Sequence, residues 1–190
     1  AHYALKLLFV IWLYGNEKNL REKIKPDNAH SAEEAIEKAY RENKQIIDKN
    51  GHGKIQYVML EGEPGHQDTA IRTEYCIKTM EKNGIELEKL ADDTAYWQSS
   101  QATSKMLQWI KKYGDKVEVV FSNNDDMALG AIQALKSQDA VKSKPIFVGI
   151  DGIPKALEAV KSGEMIGTVI NDSRKQADVI FDLAYKLATH

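Results

Sequence analysis

Short apolar runs alternate with longer amphipathic stretches along most of this 190-residue chain. The short runs, rich in Val, Ile, Leu and Phe, predict strands at 55–60, 85–90, 117–121, 146–150 and 165–170. The amphipathic stretches predict helices at 31–47, 67–82, 99–113, 125–137, 154–162 and 174–188. Alternation of this kind predicts the α/β class, with a doubly wound parallel sheet, right-handed crossovers and helices on both faces.

The most apolar run, ALKLLFVIWL at 4–13, precedes this pattern. It is too short for a membrane span of ~20 residues. It resembles the hydrophobic region of a secretory signal, but no small-residue cleavage site follows, so no signal peptide is recognised. Its length favours a buried strand, which at a sheet edge would also offer a surface for self-association.

Charge and cysteine content exclude some classes of function. The 26 Lys and Arg residues against 28 Asp and Glu residues leave a net charge of −2, without a basic cluster, so nucleic acid is not expected as a partner. The single cysteine, Cys76, cannot form an internal disulfide and is interpreted as a small helix residue.

Polar side chains follow the predicted strands, and ligands of doubly wound sheets bind at the carboxyl ends of strands. The side chains concerned are His66, Asp68, Arg72, Asn124, Asp151 and Asn171. They contain no nucleophile–base pair, and the motifs G-x-S-x-G, H-E-x-x-H and C-x-x-C are absent. Phosphate acceptance by Asp151 with Lys155 nearby is an alternative that the fold permits. We expect a binding protein for a polar or polyhydroxylated ligand, and no enzyme.

Two features near the predicted strand ends, the pair Asp68 and Arg72 and the side chain of Trp97, each have two interpretations. Asp68 and Arg72, four residues apart, lie on one helix face and form either a surface ion pair or a carboxylate and guanidinium for sugar hydroxyls. Trp97 lies in a predicted loop and either stacks on the apolar face of a pyranose or packs on the helix that begins at Ser99.

The segment DKNGHGKIQ at 48–56 has the spacing of a calcium loop. Its oxygen donors are the side chains of Asp48, Asn50 and Gln56 and the backbone carbonyl of Lys54. His52 offers nitrogen to a hard cation, and Met59 stands where an EF-hand needs a bidentate Glu. On spacing alone, a polar turn is the better interpretation.

From about residue 47 to residue 178, the chain resembles the periplasmic galactose/glucose-binding proteins of bacterial ABC transport and chemotaxis, which have the type I periplasmic binding fold. The matching strings are DKNGHGKIQYVMLEGEPGHQD, DTAYW, VEVVFSNNDDMALGAIQALK, FVGIDGIPKALEAVKSGEMIGTVIND and QADVIFDLA. The resemblance implies a monosaccharide ligand, a membrane transporter or chemoreceptor as partner, and a periplasmic or extracytoplasmic location.

The resemblance also implies roles for individual residues. The sugar-binding residues would be His66, Asp68, Arg72, Trp97, Asn124, Asp151 and Asn171. Glu118 would supply the calcium carboxylate that position twelve lacks, whereas His52 stands where the family has Asp. We therefore expect calcium binding to be weakened or absent.

The matching region resembles only the second of the two lobes that clamp the sugar in this family. It implies an unmatched segment at 1–30 that replaces the absent lobe, a sugar-binding lobe at 31–172 and a terminal helix after the hinge at 173–190. A single, flavodoxin-like lobe leaves the sugar exposed to water on one side, so weak binding of D-galactose or D-glucose is expected. The alternative is an engineered or chimeric scaffold without a ligand.

Overall fold

The computed structural model describes residues 48, 51–82, 84–138, 144–171 and 173–189. The strands are β1 (Ile55–Glu61), β2 (Leu87–Thr94), β3 (Val119–Ser122), β4 (Ile146–Asp151) and β5 (Gly167–Ile170). The helices are α1 (Gln67–Lys82), α2 (Ser99–Tyr113), α3 (Asp125–Lys136), α4 (Pro154–Ser162) and α5 (Ser173–Thr189), with a 3-10 turn at Gly114–Lys116. The predicted strand at 4–13, the predicted helix at 31–47 and the boundary at residue 30 lie outside the described residues.

The five strands form one parallel sheet in the order β2-β1-β3-β4-β5. Side chains alternate along β1, so that Val58 and Leu60 face one core and Tyr57 and Met59 face the other. Helices α2, α3 and α4 cover the first face and α1 covers part of the second. The predicted fold class, a doubly wound α/β sheet with helices on both faces, is therefore confirmed.

The contact between α2 and α3 shows how closely the first face is packed. A Cβ atom on Gly130 would lie 2.2 Å from the carbonyl oxygen of Ser99, so only glycine allows this approach. The Thr103 hydroxyl donates to the carbonyl of Gly130 at 2.9 Å and joins the two helices. This packing fixes the start of α2, which follows the loop that carries Trp97.

The predicted strand at 85–90 was placed too early, because β2 runs from Leu87 to Thr94. Its last residues are polar, and they pair with β1 through the register Met59↔Asp92, Leu60↔Asp93 and Glu61↔Thr94. An edge strand needs only its backbone to pair, so a polar sequence can continue it where hydrophobicity predicts an end.

The predicted strand at 165–170 was likewise placed too early, since β5 begins at Gly167. The backbone N–H groups of Glu164 and Met165 both donate to the carbonyl of Ala159, at 2.8 and 3.1 Å. Met165 is fully buried, so its apolar side chain belongs to the core while its backbone still completes the end of α4.

Helix α5 differs from the other helices because its apolar side chains are exposed. They are Val179, Ile180, Phe181, Leu183, Tyr185 and Leu187. The rings of Phe181 and Tyr185 stack on each other at 6.4 Å. No helix in the described part of the chain combines the length and the hydrophobicity that a membrane crossing needs.

Candidate functional site

The predicted sugar-binding residues all lie at the carboxyl edge of the sheet, which we call the rim. Each strand delivers at least one of them: His66, Asp68 and Arg72 after β1, Trp97 after β2, Asn124 after β3, Asp151 at the end of β4 and Asn171 after β5. Contacts between side chains or backbones join all seven. The topology thus brings together residues that are up to 105 positions apart in sequence (171 − 66 = 105).

Arg72 is the centre of the rim. Its Nη2 donates to Asp68 Oδ2 at 3.1 Å, and its Nη1 donates to Asp151 Oδ1 at 3.3 Å and to the carbonyl oxygen of Asn123 at 2.8 Å. The Arg72 side chain is only 17% exposed, whereas that of Asp68 is 50% exposed. The pair formed by Asp68 and Arg72 is therefore part of a larger network, and a simple surface ion pair does not describe it.

Trp97 both packs against the protein core and presents its ring at the rim, so the two interpretations of the sequence are compatible. It is half-buried and packs against the core on the α2 side of the sheet. Its ring also meets the rim, because the guanidinium of Arg72 lies 5.6 Å from the ring centroid and His66 meets it edge-on at 5.4 Å. A Cβ atom on Gly62 would lie 2.1 Å from the indole, so glycine is needed where the ring crosses the backbone.

Three rim residues have a backbone conformation that side chains rarely adopt. The φ angles are 51° at Tyr96, 63° at Trp97 and 134° at Asp151. Such conformations cost of order 1 kcal/mol or more for each residue and cluster at ligand sites. Two of the three residues belong to the predicted site, and the third adjoins Trp97.

Asn124 has a structural role in addition to any contact with a ligand. Its Oδ1 accepts from the backbone N–H of Met127 at 3.0 Å and caps α3, and its Nδ2 donates to the carbonyl of Trp97 at 3.3 Å. An amide has two donor hydrogens and two acceptor lone pairs, so one of each is left for other partners. Asn124 therefore fixes the position of Trp97 and retains capacity for a hydroxyl group.

Burial and positive charge act in opposite directions on Asp151. Loss of hydration raises the pKa of its carboxyl above the ordinary value, whereas the Arg72 guanidinium and the Asn171 side chain lower it. The backbone N–H of Asn171 also donates to the carbonyl of Asp151 at 3.0 Å. Asn171 is exposed, and its Oδ1 accepts from Gln176.

Asn123 belongs to the rim although the sequence did not single it out. It is 2% exposed, its Oδ1 accepts from the backbone N–H of Gly62 at 3.1 Å, and its Nδ2 donates to the hydroxyl of Thr73 at 3.1 Å. Its backbone carbonyl is the partner of Arg72 described above. The string SNNDD marks a polar loop, but nothing in its spacing shows which of its members is buried.

The predicted calcium residues lie at the other end of the sheet. Asp48 accepts from the backbone N–H groups of His52 at 3.1 Å and of Gly53 at 2.8 Å. Glu118, fully buried, accepts from the backbone N–H of Gln56 at 2.8 Å. Lys54 donates its backbone N–H to His52 Nδ1 at 3.2 Å. Asn50 lies outside the described residues.

These residues fit calcium poorly. His52 Nδ1 lies 3.6 Å from Asp48 Oδ1, so a nitrogen stands beside the loop's first carboxylate. Gln56 donates through Nε2 to Glu88 at 3.2 Å, a bond that does not use the Oε1 oxygen needed for calcium. Calcium takes six to eight oxygen ligands. No cluster of three or more His, Cys, Asp or Glu residues that could hold a metal occurs in the described part of the chain.

Comparison with known proteins identifies the family. Residues 23–190 match the family model described as periplasmic binding protein domain. The chain is 43% identical over 143 residues to the D-galactose/methyl-galactoside binding periplasmic protein of Haemophilus influenzae, which covers 75% of this chain and 42% of that protein. It is 39% identical to the xylitol-binding protein of Mycolicibacterium smegmatis, over 69% of this chain and 36% of that protein.

A solved structure agrees with these relatives. It is an ABC transporter periplasmic solute binding protein from Actinobacillus succinogenes with bound D-allose, with 28% identity and a TM-score of 0.66 over 78% of this chain and 51% of that one. This chain therefore belongs to the periplasmic binding protein domain family. The relatives are binding proteins, which confirms the prediction that the chain is not an enzyme. The chain spans about half or less of the length of these relatives.

Proposed function

We propose that this chain binds a hexose, D-galactose or D-glucose, as part of a periplasmic solute-binding protein for ABC sugar uptake. The observation that carries the proposal is the rim itself, where a guanidinium, two carboxylates, two amides and an indole lie in one connected network. The 43% identity to a galactose-binding relative supports this choice of sugar. Other relatives are named for xylitol and D-allose, so the sugar must be established by experiment.

The chemistry of the rim suits a pyranose. Carboxylates of Asp68 and Asp151 accept from sugar hydroxyls, and the planar fork of Arg72 donates to hydroxyl or ring oxygens. Trp97 presents an aromatic ring to the apolar C–H face of the sugar. Because Arg72 already holds both carboxylates, the ligand meets groups that are largely in place.

We expect this chain on its own to bind the sugar weakly. The rim is partly open, since Tyr96 is 48% exposed and the Asp68 side chain is 50% exposed. Hydroxyl contacts made on one side remain in competition with water. We therefore expect a dissociation constant in the millimolar range, of about 1 mM or weaker.

The proposal is tested by titrating D-galactose and D-glucose into the whole chain and following ligand-dependent NMR shifts or calorimetry. Trp97→Ala is expected to abolish measurable binding. Trp109→Phe is the control, because Trp109 lies in α2 and is 7% exposed. No binding up to ~100 mM by a folded protein would contradict the proposal and favour a scaffold without a ligand. Micromolar binding would contradict the expected weakness.

We further propose a periplasmic or extracytoplasmic location and a membrane transporter or chemoreceptor as the protein partner. The family match and the H. influenzae relative, which is named as periplasmic, support this. Localisation of the tagged full-length gene product in cell fractions tests the first part. Recovery in the cytoplasmic fraction would contradict it.

We also propose that calcium binds weakly or not at all to the loop at 48–56. Calcium in micromolar amounts should leave the melting temperature of metal-stripped protein within about 1 °C. His52→Asp restores an oxygen ligand and a negative charge and should give a shift of several degrees. His52→Asn is the control without the charge. A shift of several degrees in the unmodified protein would contradict the proposal.

A further inference from the structure

Asp125 is a completely buried carboxylate that lies directly behind the rim. Its Oδ2 accepts from the backbone N–H groups of Gly152 at 2.8 Å and Ile153 at 3.0 Å. Its Oδ1 accepts from the hydroxyl of Thr168 in β5 at 2.6 Å. The side chain therefore joins three elements: the start of α3, the loop between β4 and α4, and β5.

The loop that Asp125 holds is the one that carries Asp151. Helix α4 begins after Ile153, whose apolar side chain cannot cap it, and no side chain at that position does so. The Asp125 carboxylate accepts from the backbone N–H groups at this helix start, although it comes from a different helix. Gly152 immediately follows Asp151, so these bonds fix the backbone beside the rim carboxylate.

Two observations show that the position of Asp125 is tightly defined. A Cβ atom on Gly149 would lie 2.3 Å from Asp125 Oδ1, so β4 makes room for the carboxylate. Asp151 has a φ of 134°, a conformation that persists only where the surroundings determine it. The Asp125 bonds to the next two backbone N–H groups supply such surroundings.

We propose that Asp125 is a positioning residue for sugar binding: it holds the loop 151–153 so that the Asp151 carboxylate meets Arg72. The inference deepens the proposed function and rests on it where sugar affinity is concerned. Asp125 itself, fully buried, does not contact the ligand. A purely structural residue would affect the stability of the protein without affecting the contact between Asp151 and Arg72.

The test compares Asp125→Ala with Asp125→Asn, which keeps an acceptor and can donate to the Thr168 oxygen. Both variants remove the same charge, so a difference between them reports geometry. The pKa of Asp151 is measured by carboxyl-carbon NMR without sugar. We expect it to be about half a unit higher in Asp125→Ala than in Asp125→Asn, because only the alanine variant loses the contact between Asp151 and Arg72. D-galactose binding should be weakened about tenfold in the alanine variant and about threefold or less in the asparagine variant.

Val117→Ala is the stability control, because Val117 is fully buried at the opposite end of the sheet. It should lower the melting temperature without changing the Asp151 titration or the D-galactose affinity. Gly149→Ala, which displaces the Asp125 carboxylate without removing it, should reproduce the effect of Asp125→Ala. Equal Asp151 pKa values in the alanine and asparagine variants would overturn the inference. The Asp151 pKa is measured without sugar, so it tests the role of Asp125 even if the unmodified chain binds no sugar. Absence of sugar binding would contradict only the proposed function.

Discussion

Two pairs of acidic residues, one at each end of the parallel sheet, have opposite surroundings. At the amino end, Asp48 and Glu118 are buried and accept hydrogen bonds from nearby backbone N–H groups. At the carboxyl end, Asp68 and Asp151 are partly exposed, and both are paired with the Arg72 guanidinium. The amino end thus joins the loop at 51–56 to the sheet, whereas the rim keeps charge where a ligand can reach it.

The difference follows from the geometry of parallel strands. Loops at the carboxyl ends lead into helices and lie over an open edge, where side chains can converge on a ligand. At the amino end, Glu118 and Gln56 are adjacent, and the backbone N–H of Glu118 also donates to the carbonyl of Gln56 at 2.9 Å. Substitutions at the amino end should therefore change stability, and substitutions at the rim should change binding.

The largest effect on stability is expected from Glu118→Ala. The change leaves the buried N–H of Gln56 without this acceptor and opens a cavity, so the free energy of unfolding should fall by about 2–4 kcal/mol in urea denaturation. Glu118→Gln keeps a carbonyl acceptor and should lose less. A large loss of sugar affinity in the folded Glu118→Ala protein would contradict the comparison, because it would show that the amino end of the sheet also determines sugar binding.

A smaller loss of stability with a larger loss of binding is expected from Gly62→Ala. The new methyl group must displace the Trp97 indole, which lies where the Cβ atom would be. We expect about 1–3 kcal/mol of destabilisation and a loss of binding of about tenfold or more. Gly65→Ala tests the general effect of an added methyl group nearby, since its Cβ would meet no atom within 4 Å although its φ of 81° is strained. Unchanged sugar affinity in Gly62→Ala would show that Trp97 does not contribute to sugar binding.

Asp151→Asn should separate stability from binding. Burial raises the pKa of Asp151, so the charged carboxylate is less favourable in the folded protein than in the unfolded chain. A neutral amide should therefore increase the free energy of unfolding at pH 7. A carboxyl group whose pKa is raised on folding stabilises the folded protein fully at pH values below its unfolded pKa of ~3.9. This stabilisation is lost as the pH rises through the pKa of the folded state.

The gain from Asp151→Asn should therefore be largest at pH 7 and vanish as the pH falls below ~4, which urea unfolding at several pH values measures. D-galactose affinity should fall about tenfold because the carboxylate acceptor is lost. Asp115→Asn, at an exposed position in the 3-10 turn, is the control, because Asp115 is not among the groups that shift the pKa of Asp151. Destabilisation by Asp151→Asn at pH 7 would show that the ion pair with Arg72 outweighs the effect of burial.

The smallest effect is expected from Tyr96→Asn. Tyr96 is exposed and has a φ of 51°, a conformation that asparagine adopts more readily than tyrosine. We expect a gain of about 0.5 kcal/mol in the free energy of unfolding and unchanged affinity. A loss of affinity would show that the Tyr96 ring is part of the site, in addition to Trp97.

Much of the fold could be predicted because hydrophobic periodicity is a local property. Helices α1, α2 and α4 begin and end where the sequence predicts, since a glycine follows each of them within two residues and Pro154 marks the start of α4. The predicted end of β2 and the predicted start of β5 were wrong, because pairing with β1 continued β2 through polar residues and the end of α4 used the backbone of Met165. Both errors come from backbone hydrogen bonds that side-chain patterns do not show.

The sequence by itself determined the fold class and the residues that the topology would bring to one edge. It does so because apolar side chains at strand and helix spacing can be buried in only a few ways, and parallel strands end at a common edge. Only the tertiary structure decided which polar residues are buried. Asn123 and Asp125 stand in the same polar string as Asn124, but their hydrogen-bond partners are distant in sequence: Gly62 lies 61 positions from Asn123, and Thr168 lies 43 positions from Asp125. A polar group's role depends on the partners that remain once water is excluded, and those partners are defined by the folded chain.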